Sequence, residues 1–133
     1  MKKKRILVVD DDHELRSLIQ ELLEEEAYEV ETAIDGVDAF DHLDHQQNAY
    51  DVILLDLTMP RLNGLQFLQQ AQEHELTLLH SIIALSADEE ALQQSAGMGI
   101  GTTLSKPFDL DALLVLVGRA IDWSEEPVSA HSF

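Results

Sequence analysis

Five polar residues stand at or just beyond the ends of apolar runs, and their types suit phosphorus chemistry. Asp10 and Asp11 follow Ile6-Leu7-Val8-Val9, Asp56 follows Val52-Ile53-Leu54-Leu55, and Ser86 follows Ile82 to Leu85. Lys106 comes soon after Thr102 to Leu104. If these run ends converge, three carboxylates, a hydroxyl and an ammonium share one pocket. Close carboxylates repel and raise one another's proton affinity unless positive charge sits among them. One lysine cannot neutralise three acids. A hard divalent cation can, and magnesium favours one or two carboxylates with waters and phosphate oxygens. In that setting Asp56 can act as a nucleophile towards phosphorus and form an acyl phosphate. Phosphoryl transfer is mostly positioning and charge stabilisation, which metal and lysine together supply. Ser86 could donate a hydrogen bond to a phosphoryl oxygen. A new phosphate would then pull on further strand ends and change the molecule's shape.

The elements that must position these groups are legible as an alternation of periods. Ile6 to Val9 is a short β-branched-rich run of the kind buried on both faces of a parallel sheet. Leu15, Leu18, Ile19, Leu22 and Leu23 then recur at helical spacing, with Asp12 as the expected N-cap. Glu24, Glu25 and Glu26 lie at the far end, where they oppose the helix macrodipole. Val30 to Ala33 reads as a second strand, and Ala39, Phe40 and Leu43 mark a second helix. Val52 to Leu55 is a third strand, followed by a loop punctuated by Pro60 and Gly64. Leu65, Leu68 and Ala71 give a third helix, and Ile82 to Leu85 a fourth strand. Ala91, Leu92 and Ser95 suggest a short helix, and Thr102 to Leu104 a fifth strand. Leu110, Leu113, Leu114, Val117 and Ile121 trace a last helix. Five β/α units with short connections predict a parallel sheet with helices on both faces. In such sheets the functional site lies at the carboxyl ends of the strands, beside a switch in strand order. Strands one and three as neighbours would bring the five polar residues together.

The chain of 133 residues is long enough for one domain and one core. Its 26 acidic and 8 basic residues give a net charge of -18, a field that repels phosphate backbones and argues against direct nucleic-acid binding. There is no cysteine, which excludes disulfides, thiol catalysis and cysteine-based zinc sites. No apolar run approaches the roughly 18–20 residues that span a bilayer. Lys2, Lys3, Lys4 and Arg5 precede only four apolar residues, too few for a secretory signal, so a soluble cytoplasmic protein is expected. Residues 122–133 carry little apolar pattern and are expected to be a poorly ordered tail.

Together these stretches resemble the receiver domain of two-component response regulators, of the chemotaxis-regulator type. The resemblance covers about residues 4–121. It is carried by Ile6-Leu7-Val8-Val9-Asp10-Asp11-Asp12, by Leu54-Leu55-Asp56-Leu57-Thr58-Met59-Pro60 with Gly64, by Ala84-Leu85-Ser86-Ala87 and by Ser105-Lys106-Pro107-Phe108. It implies one receiver domain over residues 1–121 with the flavodoxin-like strand order 2-1-3-4-5 and five helices. It implies that Asp56 accepts the phosphoryl group. Asp11 and Asp56 would ligate magnesium directly, Asp10 largely through water, and the Thr58 backbone carbonyl would be a further ligand. Ser86 takes the family's hydroxyl position, Lys106 pairs with Asp56 or its phosphate, and the Lys106–Pro107 peptide should be cis. The partners implied are a sensor histidine kinase or histidine phosphotransfer protein and an output protein, which the final helix and the surface around Thr103 would contact. The protein would then be a switch that catalyses only its own phosphorylation and dephosphorylation.

One departure stands out. Many receivers carry an aromatic three residues before the lysine, where this chain has Thr103. That keeps open a degenerate receiver acting as a protein-binding platform. Thr58 and Asp88 occupy positions that tune phosphate lifetime in the family. A phosphatase of the haloacid-dehalogenase type is a further alternative. Asp10 and Asp12 fit its two acids, but Glu14 stands where it needs Thr or Val. Gly97-Met98-Gly99-Ile100-Gly101 precedes a strand rather than opening a helix and reads as a loop, not a nucleotide cradle. Asp41, His42, Asp44 and His45 have spacing that permits a metal patch, though a solvated helix face fits them better. His13, His74, His80 and His131 share no spacing, and Trp123 falls in the tail.

Overall fold

The computed structural model describes residues 3–43, 50–59, 63–73 and 82–125. Its elements run β1 (Arg5–Val9), α1 (His13–Glu25), β2 (Glu29–Ala33), α2 (Gly36–Leu43), β3 (Val52–Asp56), α3 (Gly64–Glu73), β4 (Ile82–Ser86), α4 (Glu89–Gly97), β5 (Thr102–Ser105) and α5 (Leu110–Glu125). All four strand pairings are parallel, in the order β2-β1-β3-β4-β5. This is the expected architecture, with the switch in strand order at β1 and β3.

The continuous apolar runs are explained by two cores. Successive strand residues point to opposite faces, so Leu7, Val9, Ile53, Leu55 and Ala84 pack on one side with Ala39, Phe67, Leu68 and Leu92 from α2, α3 and α4. Ile6, Val8, Val52, Leu54, Ile83 and Leu85 pack on the other with Ile19 and Leu23 of α1 and Leu113, Val117 and Ile121 of α5. Burying each of the larger side chains, valine, leucine, isoleucine and phenylalanine, contributes about 1.5–3 kcal/mol. The edge strands are more polar. β2 carries Glu29, Glu31 and Thr32 and buries only Ala33, and no residue of β5 is fully buried.

Asp12 caps α1 as expected, its side chain accepting from the amides of Glu14 and Leu15. At the other end of α1, Ala27 takes a left-handed backbone (φ 67°), and its amide and that of Tyr28 bond back to the carbonyls of Glu24 and Leu23. Asp35 and Asp38 cap α2 reciprocally: the Asp38 amide donates to Asp35 Oδ1, and the Ile34 amide to Asp38 Oδ2.

The expected boundary of the last helix needs correcting. α5 continues to Glu125, four residues past Ile121. Loss of apolar pattern at Asp122 does not stop a helix, because Asp122, Trp123 and Ser124 break no backbone hydrogen bond. Residues 126–133, Pro60, and Asp44 and His45 of the suggested metal patch lie outside the described residues.

Candidate functional site

The strand order brings the carboxyl ends of β1 and β3 side by side, with β4 and β5 beyond. Carboxylate oxygens of Asp10, Asp11 and Asp56 lie within 4.8 Å of one another. Lys106 reaches across from the end of β5, its Nζ 3.0 Å from Asp10 Oδ2 and 3.5 Å from Asp56 Oδ2. These four residues line an open cavity of about 460 Å³ with Asp12, Thr58, Ala87 and Asp88. The Lys106–Pro107 peptide is cis, as the resemblance implies.

Each acid has a distinct setting. Asp10 is fully buried. Its Oδ1 accepts from the Asp12 amide (2.9 Å), its Oδ2 from Lys106, and its backbone carbonyl from Arg16 Nη1 (2.7 Å). Asp11 is exposed. Asp56 is buried, and its Oδ1 accepts from the Thr58 amide at 3.1 Å. Burial is the chief reason its carboxyl is pushed up to about 7, helped by the charge of Asp10. The Thr58 amide and Lys106 pull the other way. Burial draws the Lys106 ammonium down, but its hydrogen bond to Asp10 and the charges of Asp56 and Asp10 prevail and leave it above its ordinary value.

Ser86 is buried at the end of β4. Its Oγ accepts from the Asp88 amide at 3.0 Å and lies 3.3 Å from Thr58 Oγ1. The hydroxyl is thus held by the β4–α4 loop and by the residue that borders Asp56. Asp88 has a role that sequence reading missed. Its Oδ1 accepts from the amides of Glu90 and Ala91, which makes it the N-cap of α4. The signal was there, since Asp88 is followed by two glutamates that suit a first helical turn. Gly64 is more than loop punctuation. A Cβ there would stand 2.5 Å from Leu57 Cα and 2.6 Å from the Asp56 carbonyl oxygen, so only glycine lets α3 start against the end of β3. Thr103 is exposed on β5.

The donor set fits a hard cation. Three carboxylates converge with the single ammonium of Lys106 beside two of them, and burial first, then the charge of Asp10, makes Asp56 costly to ionise. His42 is placed elsewhere, with Nδ1 3.7 Å from Glu31 and Nε2 3.9 Å from Asp38. Among the described residues, the only group of three or more acids or histidines close enough to share an ion is the one at Asp10, Asp11 and Asp56.

Comparison with known proteins agrees. The family model of the response regulator receiver domain matches residues 6–118. The chain belongs to this family. Transcriptional regulatory protein CpxR of Escherichia coli (strain K12) is 39% identical over 127 residues, covering 92% of this chain and 52% of that protein. This receiver domain therefore spans about half the length of the curated relatives it matches. Among solved structures, the receiver domain of the Francisella response regulator 1452 superposes with a TM-score of 0.82 at 28% identity, covering 92% of this chain and 100% of that one. A CheY-like receiver domain protein from Methanospirillum hungatei JF-1 gives 0.83 at 27% identity, covering 93% and 98%. Response regulators are signalling proteins of two-component systems. The phosphatase alternative is not favoured, and Asp12, one of its two acids, is occupied as a helix cap.

Proposed function

We propose that Asp56 is the phosphoacceptor of this receiver and that the protein switches its partner-binding surface on phosphorylation. The observation that carries the reading is the burial of Asp56 at a strand end, against Asp10 and Asp11 and within reach of Lys106. In the transfer, an Asp56 carboxylate oxygen forms a bond to phosphorus as the bond from phosphorus to a donor histidine nitrogen breaks. The imidazole leaves with the electron pair and takes up a proton from solvent. Lys106, already beside Asp56, pairs with the oxygens of the incoming phosphoryl group. Ser86 then offers its hydroxyl to the phosphoryl oxygens, which draws on the β4–α4 loop. Hydrolysis of the acyl phosphate by water returns the carboxylate.

Magnesium would be held by Asp11 and Asp56 directly, by the Thr58 backbone carbonyl, and by Asp10 through water, whose own oxygens already accept from Asp12 and Lys106. Bound there, a divalent cation supplies the positive charge that offsets repulsion between these acids and phosphoryl oxygens. The phosphoryl donor would be a sensor histidine kinase or a histidine phosphotransfer protein, which implies a cytoplasmic setting. No described helix is long and apolar enough to cross a membrane. An output protein or domain would read the changed surface.

Incubation with a small-molecule phosphodonor and magnesium, followed by intact-mass measurement, tests this. A gain of one phosphate is expected, abolished by Asp56→Asn and by chelator. Retention of the phosphate by Asp56→Asn would overturn the assignment.

A further inference from the structure

Thr103 leaves this receiver without an aromatic on β5 to connect the phosphoryl site to the rest of the surface, yet β5 is tied to that site in another way. Ser105 and Ser86 are register partners at the ends of β5 and β4, and the Lys106 amide donates to the Ser86 carbonyl at 2.9 Å. Ser105 Oγ donates to Glu89 Oε1 at 2.9 Å. Glu89 is the first residue of α4, directly after the cap Asp88, whose amide holds Ser86 Oγ. The β4–α4 loop is therefore fastened at both ends, to the Ser86 hydroxyl on the inside and to the end of β5 on the outside.

We infer that Glu89 and Ser105 are positioning residues for Ser86, a clasp that sets how readily this receiver accepts a phosphoryl group. The inference rests on the phosphoacceptor reading given above. When Ser86 Oγ turns to a phosphoryl oxygen, the Asp88 amide loses its acceptor and the loop must move. Glu89 moves with it, because it directly follows the cap Asp88. The clasp to Ser105 then has to stretch or break. It stabilises the loop in its unphosphorylated place and works against the phosphoryl group. One exposed hydrogen bond of this kind is worth a few-fold in an equilibrium, enough to bias a switch without controlling the fold.

The test is titration of the 133-residue chain with beryllofluoride and magnesium, followed by amide NMR at Asp88 and Ala91. Ser105→Ala and Glu89→Ala should each bind the probe about threefold to tenfold more tightly than wild type. Ser105→Thr keeps the hydroxyl and should stay within about twofold of wild type. A merely structural role would instead lower the urea midpoint and leave probe affinity unchanged. A second reading needs no probe: Ser105→Ala should speed hydrogen exchange of the Asp88, Glu90 and Ala91 amides. Unchanged affinity and unchanged exchange in both alanine variants would overturn the clasp. Failure of wild type to bind the probe would defeat the phosphoacceptor reading instead, and the exchange measurement would still decide whether the clasp holds the loop.

Discussion

Asp56 carries its charge at a cost, and that cost should be measurable as a dependence of stability on pH. Its carboxyl titrates at about 7 in the folded chain, against roughly 3.9 for a free aspartate. Below the lower value both states hold the proton. Between the two, the unfolded chain ionises freely while the folded one keeps its proton, so stability falls as pH rises. Above about 7 the loss is complete. Lys106, raised above its ordinary value, contributes in the same sense only at much higher pH. Asp56→Asn removes the penalty and leaves Lys106 paired with Asp10. In chelator, the variant should be more stable than wild type at pH 8 by about 1–3 kcal/mol, and the gap should close towards pH 4. Urea unfolding at pH 4, 6 and 8 reads this directly. A variant less stable than wild type at pH 8 would mean that Asp56 is stabilised as an anion by its surroundings. The site was legible at this scale because its residues are fixed by strand ends, which apolar runs announce. What was not legible were contacts made in space. Arg16 holding the Asp10 carbonyl, Ser86 facing Thr58, and Glu89 meeting Ser105 across 16 positions leave no periodic trace.

At the scale of elements, the strand and helix cores followed from period alone, whereas the ends of elements depended on local chemistry that a hydrophobic pattern does not carry. α5 runs past its apolar stripe to Glu125 because Asp122, Trp123 and Ser124 include neither proline nor glycine. Gly64 read as a turn signal, but its necessity comes from the approach of α3 to β3. Gly64→Ala would drive a methyl against Leu57 Cα and the Asp56 carbonyl, both backbone atoms that cannot swing aside. We expect a loss of about 1–3 kcal/mol in denaturant unfolding and slower phosphorylation of Asp56, whose own peptide must shift. Unaltered stability would show that the two backbones can separate at no cost. The end of α1 predicts the opposite sign. Ala27 sits at φ 67° with an exposed side chain, so it bears the steric penalty of left-handed backbone and contributes no packing in return. Ala27→Gly relieves that penalty at the position where helices favour glycine, and should raise stability by about 0.5–1 kcal/mol, or a few degrees in Tm. A fall in Tm would mean that the added freedom of the unfolded chain outweighs the relief.

For the whole molecule the governing quantity is charge. The two cores are built from apolar side chains, and the only charged residues in the strands are Arg5, Glu29, Glu31 and Asp56, so most of the net charge of -18 lies outside the sheet. α1 alone presents Glu14, Glu21, Glu24 and Glu25, and the first turn of α4 adds Glu89 and Glu90. Phosphorylation would make the surface more negative still. The curated relatives that are named transcriptional regulatory proteins are about twice as long as the part this chain matches, and the field of this receiver opposes any direct part in contacting DNA. Nucleic-acid affinity is built mainly on lysine and arginine releasing counterions from phosphates. Here 8 basic residues face 26 acidic ones, and Arg5, Arg16 and Lys106 are already engaged with Glu31, the Asp10 carbonyl and Asp10. The 133-residue chain, phosphorylated or not, should therefore leave the mobility of a DNA duplex unchanged at physiological ionic strength. Lowering the salt, which strengthens a binding led by basic residues, should not rescue it. Retardation that grows as salt is removed would reveal a basic surface strong enough to override the net field, and would sink the view that this domain acts on other proteins alone.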